Sequence, residues 1–168
     1  MEEVQQAITS LFQDGNSEAD AWLRDFQKSQ GAWEIADQLL RIDGAGLDPA
    51  FHLHCLFFAA NTMYQKVRWD FYELGNDAAA HKQLRESIVE HCQTYATGQE
   101  KVLDRLTLVL ASLALQTPSW GGGAAVKELF GIFGSVQEAY PCMLHILTAF
   151  LDEGCKSGVR MDADQASL

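Results

Sequence analysis

Apolar residues recur at helical spacing twice within the first quarter of the chain, and almost nothing separates the two runs. Two sets mark the apolar faces: Ala19, Trp22, Leu23 and Phe26, then Trp33, Ala36, Leu39 and Leu40. This spacing places each set on one side of an α-helix. Gly31, a residue type common just past a helix end, lies between them. Two short amphipathic helices joined in this way must bury their stripes against each other or against further helices.

The same pattern continues to residue 151, interrupted by short stretches rich in Gly, Asn, Asp and Pro. We expect eight helices, covering residues 3–12, 17–29, 32–42, 49–74, 78–95, 99–116, 124–133 and 135–151. Ser17 is expected to cap the second helix, and Asp48 followed by Pro49 to begin the fourth. Pro141 lies inside the last pattern and predicts a kink or a late start. The periodicity is lost from Asp152, so the tail is expected to fray.

The predicted helices group into four pairs in chain order. The first helices of the pairs begin near residues 3, 32, 78 and 123, an average spacing of roughly 40 residues, which is typical of HEAT and armadillo repeats. Such pairs bury their apolar faces by stacking on neighbouring pairs. We therefore predict an all-α fold, a right-handed α–α superhelix of about four HEAT-like helix pairs, over residues 1–153, with a flexible tail over 154–168. In this stack Trp33 is expected to pack onto Trp22 and Phe26 of the first pair.

Composition narrows the class of partner. The chain has 168 residues, 48% of them hydrophobic, and carries 12 basic against 23 acidic residues for a net charge of −11. A globular domain is indicated, and nucleic acid is not an expected partner because such binding requires clustered Lys and Arg. The negative electrostatic field of the chain favours a basic protein partner instead. The longest apolar run, residues 106–115, is about half a membrane span, and the N-terminus has no signal-peptide pattern. We therefore expect no membrane association.

No chemical motif stands out along the chain. The four cysteines are widely spaced without C-x-x-C, and three of them fall in apolar helical patterns, which indicates reduced, buried thiols. His52 and His54 point apart on a helix, so with Cys55 they do not form a simple metal site. The run "WGGGAAVK" follows a helix and lacks the spacing of a phosphate-binding loop. We expect no enzyme, cofactor or metal, although a catalytic site assembled from distant residues stays open.

Four stretches together carry a family resemblance. "WLRDFQKSQGAWEIADQLL" (22–40) is similar to the start of the importin-β superfamily of nuclear transport receptors. "FFAANTMYQKVRWDFYEL" (57–74) and "LTLVLASLALQTPSW" (106–120) resemble helices of the second and third repeats in the branch that contains transportin-SR and importin-thirteen. "MLHILTAFLDE" (143–153) resembles a fourth-repeat pattern but has Phe150-Leu151 where the family has Leu-Pro. The four stretches occur in the family's order and at its spacing.

The resemblance implies a receptor that carries protein cargo, such as Arg/Ser-rich splicing factors, through nuclear pores under the control of the GTPase Ran. It implies RanGTP and protein cargo as partners, contacts with FG nucleoporins mainly through repeats absent here, and shuttling between nucleus and cytoplasm. A full receptor of this family is several times longer, so the chain is expected to be an excised fragment, a truncated gene model or a short isoform. The alternative is a stand-alone helical-repeat scaffold without Ran regulation.

The resemblance also suggests which residues meet Ran. The family places the second helix of each pair on the concave side, where Ran docks; from spacing alone, the same residues would form an ordinary solvated face. The candidates are Arg24, Gln27, Asn61, Gln65, Lys66, Arg68 and Asp104. Lys66 lies beside the core stripe and is expected to reach this face with its ammonium group. The far side of the last pair, around Leu147 and Phe150, is expected to be exposed and to cause self-association.

Overall fold

The computed structural model describes residues 1–121, 123–134 and 140–156 of the chain. The α-helices in these ranges are α1 (Glu2–Asp14), α2 (Ser17–Phe26), α3 (Ala32–Leu40), α4 (Pro49–Trp69), α5 (Ala78–Thr94), α6 (Glu100–Gln116), α7 (Gly123–Phe133) and α8 (Tyr140–Lys156). Two 3-10 turns, Phe71–Leu74 and Pro118–Trp120, complete the regular structure, and the described residues contain no strand. The all-α prediction is confirmed.

Helices that follow each other in the chain pack against each other in pairs, which is the pairing that the sequence predicts. Helix α1 packs on α2, α3 on α4, α5 on α6, and α7 on α8. The second helices also pack on one another, α4 on α6 and α6 on α8, and these are among the closest associations in the molecule. The first pair joins the stack through α1, which contacts α4. The arrangement is a helical-repeat fold, and the handedness of the stack stays a prediction.

Helix starts follow from side-chain caps, with one correction. Asn16, and not Ser17, caps α2, because its side-chain oxygen accepts the backbone N–H groups of Glu18 and Ala19. The Asp48–Pro49 start is confirmed: the Asp48 carboxylate accepts the N–H of Phe51, and Pro49 occupies the first turn.

The fourth helix is shorter than predicted, and the eighth is longer. α4 ends at Trp69, and a separate 3-10 turn, Phe71–Leu74, follows. Its last turn is altered because Lys66 pairs with both Asp70 and Glu73, which draws the chain into a tighter turn. α8 runs to Lys156 instead of ending at 151, so the fraying predicted from Asp152 is wrong for residues 152–156. Residues 135–139, where the start of this helix was expected, and 157–168 of the tail lie outside the described residues.

One continuous apolar core runs from α1 to α8. It includes fully buried side chains from each pair, such as Ile8, Leu56, Leu106 and Ile146. Cys55, Cys92 and Cys142 are buried free thiols, as expected for three of the four cysteines. Among the described residues, no helix is both long and apolar enough to cross a membrane. In the same ranges, no group of His, Cys, Asp and Glu is arranged to hold a metal ion.

The packing of Trp33 differs from the prediction. Trp22 stacks on Phe26 with ring centroids 5.6 Å apart and stays substantially exposed. Trp33 instead packs within its own pair: its indole N–H donates to Glu73 at 2.9 Å, and the ammonium of Lys66 lies 5.5 Å from the ring centroid. The physical reason is the indole N–H, which needs a polar partner that the Trp22–Phe26 stack does not provide.

Candidate protein-binding face

The second helices of the pairs present one continuous side of the molecule, which we call the second-helix face. It comprises the outward sides of α2, α4, α6 and α8, the last three lying directly side by side. Repeat proteins bind partners through such extended surfaces because every repeat adds side chains to the same side. All seven candidate residues predicted from the sequence come from three of these helices or their caps.

Arg24 and Gln27 lie at the first-pair end of this face. Arg24 is well exposed and forms an ion pair along α2 with Asp20, at 2.7 Å. Gln27 caps the end of α2, and its amide donates to the hydroxyl of Thr62 on α4 at 2.9 Å. Arg24 is therefore accessible to a partner, whereas Gln27 joins the first pair to the second.

Asn61 and Gln65 form the centre of the face. They lie one turn apart on α4, and both are partly exposed beside the buried stripe of Leu56, Met63 and Val67. Two neutral amides on one helical stripe can donate to and accept from a partner's backbone. Asn61 and Gln65 are therefore accessible on α4, and their role in binding a partner stays a prediction.

Lys66 does not reach the face, and the expectation that its ammonium extends to solvent is wrong. Its side chain is 0% exposed and ends between the carboxylates of Asp70, at 2.9 Å, and Glu73, at 2.7 Å. The hydrogen bond from Lys66 lowers the pKa of Glu73, and the indole N–H of Trp33 acts in the same direction. Two carboxylates and an aromatic ring compensate the buried charge from inside the pair, so the group holds α3, α4 and the following turn together.

Arg68 lies at the edge of the face, and its guanidinium pairs with a buried carboxylate from α8. Its guanidinium donates to Glu153 at 2.7 Å and to the hydroxyl of Tyr64 at 2.6 Å. Glu153 is only 3% exposed, and it also accepts hydrogen bonds from Tyr64 at 2.9 Å and from Ser112 on α6 at 3.1 Å. This cluster of Tyr64, Arg68, Ser112 and Glu153, the Glu153 cluster, connects α4, α6 and α8.

Tyr64 is the centre of the Glu153 cluster. Burial raises its pKa, and the hydrogen bond to Glu153 adds to this, so the phenol stays a neutral donor. Two guanidinium groups also lie near its ring: that of Arg68 is 5.7 Å and that of Arg105 on α6 is 5.8 Å from the centroid. The α4–α6 contact is thus built from charge on aromatic faces as well as from apolar packing.

A groove of about 620 Å³ follows the α6–α8 side of the face. Asp104, the last candidate, lies on its wall and pairs across it with the imidazole of His145 on α8. Arg105 covers Phe57 from the same wall, with 5.8 Å between the guanidinium carbon and the ring centroid. The groove is lined by both charge signs together with the exposed Leu144, so it suits an amphipathic protein segment better than a small ion.

Several residues that organise this face could not be recognised from the sequence alone. Glu153, Tyr64, Ser112 and Arg105 were not among the candidates, although Tyr64 and Arg68 at i and i+4 share one side of α4. No periodicity could assign Glu153, because its partners lie 41 to 89 residues away along the chain.

A second polar cluster joins the first helices α3 and α5. Asp37 accepts from the hydroxyl of Ser87 at 2.5 Å and lies 2.9 Å from Nε2 of the buried His91. Arg41 pairs with Asp37 at 3.0 Å and with Glu90 at 2.9 Å. We call these residues the Asp37 cluster. Burial by itself would raise the pKa of Asp37, but the hydrogen bonds from Ser87, Arg41 and His91 outweigh it and lower the pKa to about 2.

The Asp37 cluster contains the residue types of a hydrolytic triad but not its connections. In a triad the acid and the nucleophile bind opposite nitrogens of the imidazole, so that the histidine can transfer a proton. Here Asp37 and Ser87 both approach the same nitrogen, Nε2 of His91, at 2.9 and 3.4 Å. The hydroxyl also donates directly to the acid. This hydrogen-bond pattern positions α3 against α5 and does not activate Ser87.

Comparison with known proteins identifies the superfamily. Over 156 residues the chain is 30% identical to Transportin MOS14 of Arabidopsis thaliana, an alignment covering 89% of the chain and 15% of that protein. It is 31% identical over 155 residues to the mRNA transport regulator MTR10 of Saccharomyces cerevisiae, covering 91% of the chain and 14% of the relative. Importin-13 of Homo sapiens is 28% identical over 137 residues, covering 79% and 13%.

These relatives are importin-β superfamily members. The chain is a homologue of the importin-β superfamily. It spans about 15% of the length of the curated relatives it matches. No family model matches the chain. The importin-β homology accounts for the stacked helix pairs, and importin-β superfamily relatives are transport receptors and not enzymes.

Proposed function

We propose that this chain is the RanGTP-binding, N-terminal part of a nuclear transport receptor, whose whole protein imports protein cargo such as Arg/Ser-rich splicing factors. The observation that carries the proposal is the homology to transportin and importin proteins along nearly the whole chain. The second-helix face supports it with a continuous surface in which Arg24, Asn61 and Gln65 remain accessible. The protein would shuttle between cytoplasm and nucleus, and FG nucleoporin contacts would lie mainly in repeats outside this chain.

The proposed mechanism is differential binding. The switch segments of a GTPase are ordered by the γ-phosphate and released on hydrolysis, so a surface that contacts them discriminates the two nucleotide states. RanGTP and import cargo would favour incompatible curvatures or overlapping surfaces, and each would then weaken the other's binding by the same factor. No bond is made or broken by the chain itself.

Electrostatics sets the expected salt response. The chain carries a net charge of −11, and a basic patch on the partner would be attracted to it. Attraction of this kind acts mainly on the association rate and is screened within about 10 Å at 0.1 M salt. We expect association to slow markedly between low and physiological ionic strength.

The test compares both nucleotide states of Ran by calorimetry, with variants chosen from the structure. Asn61→Ala/Gln65→Ala should weaken binding of GTP-locked Ran by about thirtyfold, since two hydrogen bonds of about 1 kcal/mol each are removed. Arg68→Glu is unsuitable because it would also break the buried pair with Glu153. Gln93→Ala, an exposed amide on α5, is the matched control.

The outcomes separate the two functional classes. Tighter binding of the GTP form, lost in the double variant but kept in Gln93→Ala, supports the proposal. Equal binding of both nucleotide states, or an unaffected double variant, removes Asn61 and Gln65 from a Ran site. No binding of either state, with the chain folded by circular dichroism, leaves the scaffold alternative.

A further inference from the structure

We infer that a pocket between α5 and the 3-10 turn Pro118–Trp120 is a binding site for a small oxyanion, a phosphate or carboxylate group. This pocket, the α5 pocket, has a volume of about 320 Å³ and lies apart from the second-helix face. The residues that bear on the argument are His81, Lys82, Arg85, Thr117, Pro118 and Trp120. The inference does not depend on the proposed transport function.

Two buried polar atoms in the α5 pocket have no hydrogen-bond partner among the described residues: Nε of Arg85 and Oγ1 of Thr117. Thr117 is 8% exposed and belongs to the pocket lining. Buried donors of this kind are rare in folded proteins, because each costs about 1–3 kcal/mol when it is left unsatisfied. Both residues line one pocket, so a single ligand with several acceptor oxygens would approach both of them there.

Arg85 is held in place by contacts that leave its donor capacity largely unused. Its guanidinium carbon lies 5.0 Å from the centroid of the Trp120 ring, and Nε is 3.5 Å from a carboxylate oxygen of Glu128, too long for a good hydrogen bond. Glu128 instead accepts the indole N–H of Trp120 at 2.9 Å. The fork of a guanidinium fixed on an aromatic face matches the geometry of a carboxylate or phosphate.

The described side chains that line the α5 pocket include basic residues and no acidic ones, which favours binding of an anion. His81, Lys82 and Arg85 line the α5 pocket, and no Asp or Glu does, in a chain with 23 acidic and 12 basic residues. The groove on the second-helix face is lined by Asp104 and Asp152 as well as by basic residues. Lys82 keeps its ammonium mostly exposed, 3.7 Å from Glu86, and is free to turn toward a ligand.

The start of α5 is not the source of the inference. Its first free N–H groups, those of Ala79 and Ala80, are already accepted by the carboxylate of Asp77. Nε2 of His81 lies 3.0 Å from the carbonyl oxygen of Gly75, and its ring packs at a tilt against Phe71, with 4.7 Å between the ring centroids. Among the donors that remain are the guanidinium of Arg85, the hydroxyl of Thr117 and the ammonium of Lys82, and Asn76 and Ser119 also line the pocket, with Pro118 as an apolar wall.

The test is a titration of the full chain followed by the indole N–H resonances of its four tryptophans in NMR spectra. Sodium phosphate and sodium acetate are added in separate arms, each against sodium chloride at the same ionic strength. A saturable shift of the Trp120 resonance is expected, while those of Trp22, Trp33 and Trp69 stay unchanged. Saturation by phosphate alone assigns a phosphate-type ligand, and saturation by acetate assigns a carboxylate. No saturable shift of Trp120 in either arm would overturn the inference.

Two variants and a control complete the test. Arg85→Gln should weaken binding by about tenfold or more, and Thr117→Val, which removes only the hydroxyl, by about three- to tenfold. Lys28→Gln, a mostly exposed lysine on the first pair, should bind as the wild type does. If Arg85→Gln does not fold, Thr117→Val decides alone. Unchanged affinity in the folded variants would show that the shift arises elsewhere, and the α5 pocket would then not be the site.

Discussion

The carboxylates of Glu153 and Asp37 each tie separate helix pairs together, but they lie at different depths. Glu153 is 3% exposed and accepts hydrogen bonds from α4 and α6. Asp37 is 31% exposed, and its cluster with Ser87 and His91 joins α3 to α5 near the surface. A buried charge becomes strongly destabilising when one partner is removed, whereas a half-exposed charge can be resolvated by water. The network between the second helices should therefore lose much stability when any one of its side chains is removed. The network between the first helices should lose less.

Removing the deep carboxylate should have the largest effect. Glu153→Ala leaves Arg68, Tyr64 and Ser112 without their common acceptor, and we expect a loss of about 3 kcal/mol in the free energy of unfolding. Urea denaturation followed by circular dichroism measures it. Asp152→Ala, the exposed neighbouring acid, is the matched control and should change stability by less than about 0.5 kcal/mol. Similar losses for the two variants would mean that Glu153 contributes no more to stability than an exposed acid does.

The shallow carboxylate should matter less. Asp37→Asn keeps the shape of the side chain but removes the charge that pairs with Arg41 and accepts from Ser87 and His91. We expect a loss of about 1–2 kcal/mol, since water can reach part of this cluster. Asp25→Asn, whose carboxylate pairs only with the exposed Lys28, should be nearly neutral in the same assay. If Asp37→Asn lost as much stability as Glu153→Ala, the Asp37 cluster and the Glu153 cluster would not differ in their contribution to stability.

The pH dependence sharpens the comparison further. Burial lowers the pKa of His91 below its ordinary value of 6.5, although Asp37 acts in the opposite direction. The unfolded chain therefore takes up this proton at a higher pH than the folded chain, and stability should fall as the pH decreases below 6.5, by at most about 1.4 kcal/mol per pH unit. Asp37, with a pKa of about 2 instead of 3.8, adds a further loss as the pH falls from 3.8 towards 2.

The measurement is the free energy of unfolding from pH 7.5 to pH 5. His91→Gln should reduce the dependence of the unfolding free energy on pH in this range, because glutamine cannot take up a proton when the chain unfolds. Gln93→Ala, which changes an exposed amide that does not titrate on the same helix, is the control and should keep the slope. An unchanged slope in His91→Gln would show that the Asp37 cluster does not set the acid response.

The smallest effect on stability is expected at the exposed apolar side chains of α8. Leu144 and Leu151 on α8 are 65% and 72% exposed, and Leu147 is partly exposed beside them, as the sequence predicted. Phe150, also predicted, instead packs against the core. Leu144→Lys/Leu151→Lys should alter the free energy of unfolding by less than about 0.5 kcal/mol per site. The same change should suppress self-association in sedimentation velocity at high concentration, and a wild-type chain that stays monomeric there would contradict the expected role of this surface.

Much of the fold could be predicted because it depends on local spacing. Period-3.6 stripes and Gly breaks gave the helices and their order, and Asp48–Pro49 fixed the start of α4. Side-chain contacts between distant residues could not be predicted in the same way. Lys66 looked like an edge residue by spacing, but Trp33, 33 positions earlier, and Glu73 provide a polar interior for it.

The candidate face was predicted in outline and missed in detail for the same reason. Asn61 and Gln65 are placed by the helix period alone, so their exposure followed from the sequence. Arg68 has the same period, yet its environment is decided by Glu153, which lies 85 residues later on α8. The periodicity ends before Glu153 because the last turn of α8 is mostly polar, although Glu153 itself is buried. A buried polar residue at a helix end gives no signal in hydrophobic periodicity.

The reach of Glu153 has a consequence for cooperativity. In a simple repeat array each unit interacts only with its immediate neighbours, and the free energy of unfolding is a sum of unit and interface terms. Tyr64 belongs to the second pair and Glu153 to the fourth, so their hydrogen bond is a coupling between next-nearest neighbours. The second, third and fourth pairs should therefore open together in native-state hydrogen exchange, as one unit. The first pair, which joins the stack through α1 and Gln27, would exchange independently and earlier.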